Sequence, residues 1–123
     1  MEKEKEHLFI NRMKSIRYAF KGAYLLIKTE ISIKLQFIIA IIVTIAGFYY
    51  KISLTEWVVQ FLAIGMVMSI EAVNTAIEEI ANFIHPEFHV RIGLIKDISA
   101  GAVFIASVFA SIVGLIIYIP KIF

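Results

Sequence analysis

The chain has 123 residues, of which 60% are hydrophobic and only 18% are charged, and its mean hydropathy is strongly positive. A water-soluble domain of this length carries much more charge on its surface, so the composition excludes that class and indicates an integral membrane protein. The absence of cysteine excludes a disulfide framework and thiolate chemistry. The formal net charge is only +2, and we expect no nucleic-acid partner.

The first 29 residues predict one amphipathic helix and no signal peptide. The segment Met1 to His7 alternates Glu and Lys and lacks an apolar core and a small-residue cleavage site, so we expect the chain to be mature. From Leu8 to Thr29, apolar residues recur at spacings of three and four, with basic residues largely outside this stripe. The stripe consists of Phe9, Met13, Ile16, Phe20, Tyr24 and Ile27. This pattern predicts a helix on a membrane surface, with packing on protein as the alternative.

Three further segments are apolar and long enough to be membrane spans. The first runs from about residue 31 to 50 and ends in aromatic residues typical of a membrane interface. The second runs from about 54 to 84, where Pro86 prevents simple continuation of a helix. The third, about 98 to 119, contains no charge and matches the roughly 20 residues that cross a hydrocarbon core. The predicted fold is therefore all-α: a single integral-membrane domain over residues 1–123, with a surface helix (about 8–29) and three transmembrane helices.

The distribution of Lys and Arg predicts the orientation of these spans. Eight of the twelve basic residues lie in the first 34 positions, and two, Arg91 and Lys96, lie between the second and third spans. Only Lys51 and Lys121 lie on the other side. This bias places the N-terminus and the segment between the second and third spans in the cytoplasm.

The second span carries polar residues that a membrane helix rarely tolerates. At 100° per residue, four of them fall within an arc of about 80°. We call this set the polar face: Glu71, Asn74, Glu78 and Asn82. An ionised carboxylate near the bilayer centre costs on the order of 2.5 to 3.5 kcal/mol, so the polar face should contact protein, a metal ion or water. Glu79 points elsewhere, and we expect it to face solvent or lipid headgroups.

Another carboxylate, Glu30, precedes the first span at about the depth of Glu78. Two carboxylates at one level can share a cation, and Mg²⁺ usually takes one or two carboxylates together with substrate phosphates and water. The alternative for Glu30 is an ordinary ion pair with Lys34, one helical turn later.

The segment between the second and third spans could hold a soluble ligand over the polar face. Lys96 would act as a point charge for phosphate, although a basic residue before a span is also a common topological signal. Asp97 would either orient Lys96 or cap the last predicted helix. His85 and His89 are spaced like helical metal ligands, but Pro86 lies between them and a third ligand is missing.

These motifs, in their order and spacing, resemble the prokaryotic diacylglycerol kinase family. They are Glu71-x-x-Asn74-Thr-Ala-Ile-Glu78, then His89, then Lys96-Asp97, together with Glu30 before the first span. The resemblance covers nearly the whole chain. It implies a homotrimer in the bacterial cytoplasmic membrane, with active sites between subunits, that transfers the γ-phosphate of ATP to a lipid hydroxyl.

Matching positions imply roles for individual residues. Glu71 would be the catalytic base, and Glu30 and Glu78 would bind the Mg²⁺ that bridges the ATP phosphates. The residues implied in nucleotide binding are Tyr18, Asn74, Glu87, Phe88, His89, Lys96, Asp97 and, as the weakest match, Arg12. Asn82 stands where the family usually has Asp, which removes a charge from the polar face and would modulate metal or nucleotide affinity.

The lipid is left open between diacylglycerol, which would give phosphatidic acid, and undecaprenol, which would give undecaprenyl phosphate. The segments 99–103 and 119–122 resemble the undecaprenol kinases more closely. A small ion-coupled transporter is the rival from another class, although a carrier would place its key carboxylate near mid-membrane. Because Asn82 departs from the family pattern, a catalytically degenerate membrane scaffold is a further alternative.

Overall fold

In the computed structural model, which describes residues 1–123, the chain forms four α-helices. They are α1 (Glu2–Thr29), α2 (Ile31–Tyr49), α3 (Leu54–Ile84) and α4 (Val90–Ile122). The last three are long and apolar enough to cross a membrane, which confirms the all-helical prediction with three candidate spans. The helix α1 begins six residues earlier than predicted, because the Glu and Lys residues before Leu8 are good helix formers and acidic residues favour a first turn.

The helix α4 begins eight residues earlier than predicted, which corrects the interpretation of Asp97. The N-cap of α4 is His89, whose Nδ1 accepts a hydrogen bond from the backbone amide of Arg91 at 3.1 Å. Asp97 therefore lies inside the helix and does not cap it. The charge-free run from Ile98 marks the most apolar part of α4 and not its start. At the other end, Pro120 lies inside the last turn rather than after it.

The helices α3 and α4 form an antiparallel hairpin. Three side-chain hydrogen bonds of 2.5 to 2.8 Å join them along their length. The bonded pairs are Asn82 with Lys96, Gln60 with Tyr118, and Glu56 with Lys121. The helix α2 packs against α3, and α1 contacts α2 where the chain turns at Glu30. The bundle thus has a Lys51 end, where α2 ends and α3 begins, and a Pro86 end, where α3 ends and α4 begins.

The helices differ in length, and this difference shapes the Pro86 end. At 1.5 Å per residue, α2 is about 28 Å long, which matches a hydrocarbon core of about 30 Å. On the same measure α3 is about 46 Å long, with α4 running alongside it. Because the three helices meet at the Lys51 end, the α3–α4 hairpin extends about 18 Å beyond the start of α2.

The turn between α2 and α3 is fixed by backbone hydrogen bonds. The amide of Lys51 donates to the carbonyl of Phe48 at 3.4 Å, and the amide of Ile52 donates to the carbonyl of Gly47 at 3.1 Å. These are the two bonds of a Schellman motif. Lys51 takes the left-handed conformation that the motif requires, with φ of 52°, at a position usually held by glycine. The side chain of Ile52, the residue after the left-handed position, is buried. An apolar contact by this residue frequently accompanies a Schellman motif.

Glu56 then fixes the start of α3 in two ways. Its Oε1 accepts a hydrogen bond from the amide of Ser53, and the Ser53 hydroxyl accepts one from the amide of Glu56, which completes a capping box. Its Oε2 lies 2.8 Å from Nζ of Lys121. This ion pair ties the last turn of α4 to the first turn of α3.

A hydrogen-bonded cluster joins the three long helices near the Lys51 end. The hydroxyl oxygen of Tyr118 in α4 lies 2.5 Å from Oε1 of Gln60 and 2.9 Å from the carbonyl oxygen of Val43. The side-chain amide of Gln60 also donates to that carbonyl at 3.3 Å. Within apolar helices these groups have no water to bond, so their pairing stabilises the packing of α2, α3 and α4.

We predict that Gly47→Ala destabilises the fold. A Cβ atom at Gly47 would lie 2.6 Å from Cη2 and 2.9 Å from Cζ2 of Trp57, so the indole must move. Overpacking of this kind lowers the free energy of unfolding by about 1 to 3 kcal/mol. The control is Gly65→Ala in α3, where a Cβ meets no atom within 4 Å. Denaturant unfolding in detergent micelles measures both, and equal effects at the two positions would contradict the prediction.

We also predict that Tyr118→Phe weakens the hydrogen-bonded cluster. The change leaves the side chain of Gln60 without its phenol partner and should lower the free energy of unfolding by roughly 0.6 to 1.7 kcal/mol. Tyr49→Phe is the matched control, because Tyr49 is 77% exposed. The same unfolding measurement applies, and the prediction fails if both tyrosines can be replaced at no cost.

Candidate functional site

The polar face lies on α3 and becomes more exposed toward the Pro86 end. Glu71 and Asn74 are buried, each with 8% of its surface exposed, whereas Glu78 is half-buried and Asn82 is exposed. Other residues of the same chain cover Glu71 and Asn74. Glu79, off this face, is exposed as predicted.

The carboxylate of Glu71 has no hydrogen-bond or ion-pair partner. The backbone carbonyl of Glu71 accepts a bond from the Thr75 hydroxyl at 3.1 Å, but neither carboxylate oxygen accepts one from the protein. Although the residue is 8% exposed, its carboxylate oxygens are not fully enclosed, because the enclosed side-chain oxygens without a partner belong to Gln36 and Asn74. The carboxylate is chemically free to accept a proton from an incoming hydroxyl group.

Asn74 and Glu78 are joined one helical turn apart. The side-chain amide of Asn74 donates to Oε1 of Glu78 at 3.2 Å. Oδ1 of Asn74 is buried and has no partner. The pair therefore leaves one oxygen atom of each side chain without a partner, and the one on Asn74 is enclosed by the protein. The sequence interpretation missed this bond, although the spacing of four residues on one helical face is the signal that could have found it.

Glu30 lies between α1 and α2 and is half-buried. Its carboxylate forms no ion pair, and only the backbone carbonyl of Glu30 contacts Lys34, as acceptor of the Lys34 amide at 3.0 Å. The alternative interpretation of Glu30 as an ion-pair partner of Lys34 is therefore wrong. Measured along the helices from the Lys51 end, Glu30 lies at about 29 Å, Asn74 at about 30 Å and Glu78 at about 36 Å. Glu30 is thus level with Asn74 and about 7 Å from the height of Glu78, so the expectation that Glu30 and Glu78 share one depth is corrected.

These carboxylates have the chemistry of a magnesium site but do not complete one alone. The chain has no group of three or more His, Asp and Glu side chains placed to hold a metal ion. Glu30 and Glu78 supply hard oxygen donors, and Mg²⁺ commonly takes one or two carboxylates and fills its other positions with phosphate and water. Both residues therefore supply the type of donor atom that Mg²⁺ takes together with phosphate.

The two histidines near Pro86 have local contacts instead of a shared ligand. Their rings pack edge to face with centroids 5.4 Å apart. Nδ1 of His85 lies 2.7 Å from the carbonyl oxygen of Glu87, and Nδ1 of His89 caps α4. The capping role of His89 is a structural function that the sequence interpretation missed.

Lys96 reaches across the hairpin to the polar face. It lies inside α4 rather than in a loop, and its Nζ donates to Oδ1 of Asn82 at 2.7 Å. Asp97 forms no ion pair with Lys96, because neighbouring residues of a helix point in different directions. The expectation that Asp97 orients Lys96 is therefore wrong, and Asn82 holds Lys96 instead.

The other residues implied in nucleotide binding are exposed. Glu87 and Phe88 lie in the loop between α3 and α4, and Phe88 is 88% exposed. Arg12 and Tyr18 lie on α1, which has no buried residue, and form no side-chain hydrogen bond. One chain thus joins Lys96 to the polar face and places Glu30 level with Asn74, and it leaves the side chains of Arg12 and Tyr18 without hydrogen-bond partners.

Comparison with known proteins assigns the family. The family model described as prokaryotic diacylglycerol kinase matches residues 17–118, which include every implied site residue except Arg12. The chain is 37% identical over 113 residues to an undecaprenol kinase of Bacillus subtilis, covering 91% of this chain and 92% of that protein. It is 28% identical over 111 residues to a diacylglycerol kinase of Synechocystis sp., covering 89% of this chain and 63% of that protein. The resemblance read from the motifs is therefore confirmed: the chain belongs to the prokaryotic diacylglycerol kinase family and is a lipid kinase.

Proposed function

We propose that this protein transfers the γ-phosphate of ATP to the hydroxyl of undecaprenol and produces undecaprenyl phosphate. The choice of lipid is supported by the higher identity and fuller coverage of the undecaprenol kinase than of the diacylglycerol kinase. Diacylglycerol, with phosphatidic acid as product, is the second candidate because both relatives match the same part of the chain. Membership in the family removes the alternative of a small ion-coupled transporter. Labelling of lipid by the γ-phosphate of Mg-ATP decides whether the protein is a catalytically degenerate scaffold.

The observation that carries this proposal is the unpaired carboxylate of Glu71, one turn before the Asn74–Glu78 pair. It lies about 26 Å from the Lys51 end, close to the edge of a core about 30 Å thick. The hydroxyl of a membrane lipid sits at that edge. Glu71 accepts the proton of this hydroxyl while the lipid oxygen bonds to the γ-phosphorus. The bond between the γ-phosphorus and the bridging oxygen breaks, and ADP leaves.

Phosphoryl transfer depends mainly on positioning and on neutralising phosphate charge. Glu30 and Glu78 would hold Mg²⁺, which supplies positive charge to the ATP phosphates when bound. Asn74 fixes one oxygen of Glu78 and so keeps the other available. Lys96 adds a point charge toward the phosphates. The remaining implied contacts with the nucleotide come from the loop and the start of α4 and from α1. They are Glu87, Phe88, His89 and Asp97, and Tyr18 and Arg12.

The assembly belongs to the proposal as well. We place the Pro86 end in the cytoplasm of a bacterium, on the basis of the positive-inside bias, with α1 on the membrane surface. Only 9 of 123 residues are buried in one chain, and the apolar stripe of α1 is exposed. These apolar surfaces are open to lipid and to other copies of the chain. A homotrimer with shared active sites would let Tyr18 and Arg12 of one copy approach the polar face of another.

We predict that the purified protein labels undecaprenol more rapidly than diacylglycerol with the γ-phosphate of Mg-ATP in mixed micelles. Glu71→Gln removes the base and should lower the rate by about 10² to 10⁴-fold, which is the usual contribution of general base catalysis. Glu79→Gln is the matched control, since Glu79 is exposed and off the polar face. Labelling of neither lipid by folded wild-type protein would contradict the proposed function, and faster labelling of diacylglycerol would reverse the choice of lipid.

We further predict that Glu30→Gln and Glu78→Gln each raise the Mg²⁺ concentration needed for half-maximal activity. Loss of one of two carboxylate ligands should require at least about tenfold more metal, because Mg²⁺ is held by few protein ligands. Titrating Mg²⁺ at fixed ATP measures this, again with Glu79→Gln as the control. An unchanged magnesium dependence in both variants would show that these residues are not the metal ligands.

A further inference from the structure

Lys96 is held in place by a partner on the opposite helix of the hairpin. Its Nζ donates to Oδ1 of Asn82 at 2.7 Å, although the two residues are 14 positions apart in the chain. This distance is at the short end for a hydrogen bond donated by an ammonium group. The bond fixes the ammonium at one position, whereas a free lysine side chain samples many rotamers.

The partner of Lys96 is neutral. The single ion pair of the molecule joins Glu56 and Lys121 at the Lys51 end, so no carboxylate lies within 4.0 Å of the ammonium of Lys96. An amide oxygen accepts the hydrogen bond and leaves the positive charge uncancelled. A fixed and unpaired ammonium attracts phosphate more strongly than one already paired with a carboxylate.

Lys96 lies at nearly the same height along the bundle as the proposed metal ligand Glu78. Along the helix axes, Lys96 lies about 39 Å from the Lys51 end and Glu78 about 36 Å. Asn82 follows Glu78 by one helical turn on the same polar face. Phosphates bound near Glu78 would therefore meet the charge of Lys96 at nearly the same level.

We propose that Asn82 is a positioning residue that directs Lys96 toward the nucleotide phosphates and preserves its charge. Asn82 acts through Lys96 and touches no reacting atom. The inference rests on the proposed function, because the anion that it concerns is the co-substrate ATP. It gives the amide at this position a definite effect: it strengthens the binding of Mg-ATP.

The test compares two substitutions of Asn82. Asn82→Asp would pair with Lys96 and add a negative charge beside the phosphates, so we expect Mg-ATP to bind about twofold to fivefold more weakly. Asn82→Ala removes the hydrogen bond but adds no charge, so its effect should be smaller. Equilibrium binding of Mg-ATP in micelles gives Kd, and steady-state assays at saturating lipid give KM and kcat. A positioning role predicts that KM for ATP rises with Kd while kcat changes by less than about twofold.

The control repeats Asn82→Asp in a Lys96→Gln background, because a double-mutant cycle isolates the coupling between two residues. Without the ammonium, the effect of Asn82→Asp on Kd should fall to about half or less. Equal effects in both backgrounds would overturn the proposal, since Asn82 would then act independently of Lys96. A fall in kcat with unchanged Kd would overturn it as well.

Equilibrium binding also separates this inference from the proposed function. If wild-type protein binds Mg-ATP and shows the coupling but labels neither lipid, the proposed function fails and the role of Asn82 stands. If lipid is labelled normally and Asn82→Asp leaves Kd unchanged, only the role of Asn82 fails. If folded wild-type protein binds no Mg-ATP, both are overturned.

Discussion

The structure depends on one constraint: each polar group carried into the apolar part of the bundle has to meet protein rather than hydrocarbon. The antiparallel packing of α3 against α4, with α2 alongside, satisfies this constraint at several heights along the bundle. Near the Lys51 end, Gln60 and Tyr118 bond to each other and to a carbonyl of α2. Farther along, Asn74 and Glu78 pair on α3. Oε1 of Gln36 and Oδ1 of Asn74, which are buried, lack a partner, as does the carboxylate of the buried residue Glu71. The proposed chemistry takes place at Glu71 and Asn74.

The residues of the proposed site lie at different heights along the bundle, some beside the membrane core and some beyond it. Glu71 lies within the length of α2, which matches the hydrocarbon core, whereas Asn74 lies level with the start of α2 and Glu78 lies about 8 Å beyond it. Asn82 and Lys96 belong to the part of the hairpin that extends about 18 Å past the start of α2. A lipid hydroxyl and a water-soluble phosphate donor can thus approach the same face of α3 from opposite directions. The division explains why a fold of four helices can join two substrates of such different solubility.

Local sequence patterns predict most of this fold but not its contacts. The long apolar runs, together with Pro86, are sufficient to predict three spans. The rotation of about 100° per residue of a helix is sufficient to predict that the polar residues of α3 share one face. The start of α4 is missed because it depends on the ring nitrogen of His89 accepting an amide bond, which composition does not reveal. The bond between Lys96 and Asn82 is missed for a different reason. It depends on how α3 and α4 are aligned in the hairpin, and one sequence contains no direct record of that alignment.

The unequal lengths of α2 and the hairpin make the protein sensitive to hydrophobic mismatch. α2 fits a core of about 30 Å, whereas α3 exceeds it, so the thickness of the bilayer decides which turns of α3 lie at its surface. A change of about 3 Å in thickness corresponds to about two residues along the helix. A thicker bilayer draws Glu30 and Asn74 below the surface, and a thinner one brings Glu71 closer to water. The acyl-chain length of the surrounding lipids therefore sets the depth at which these carboxylates lie relative to the membrane surface.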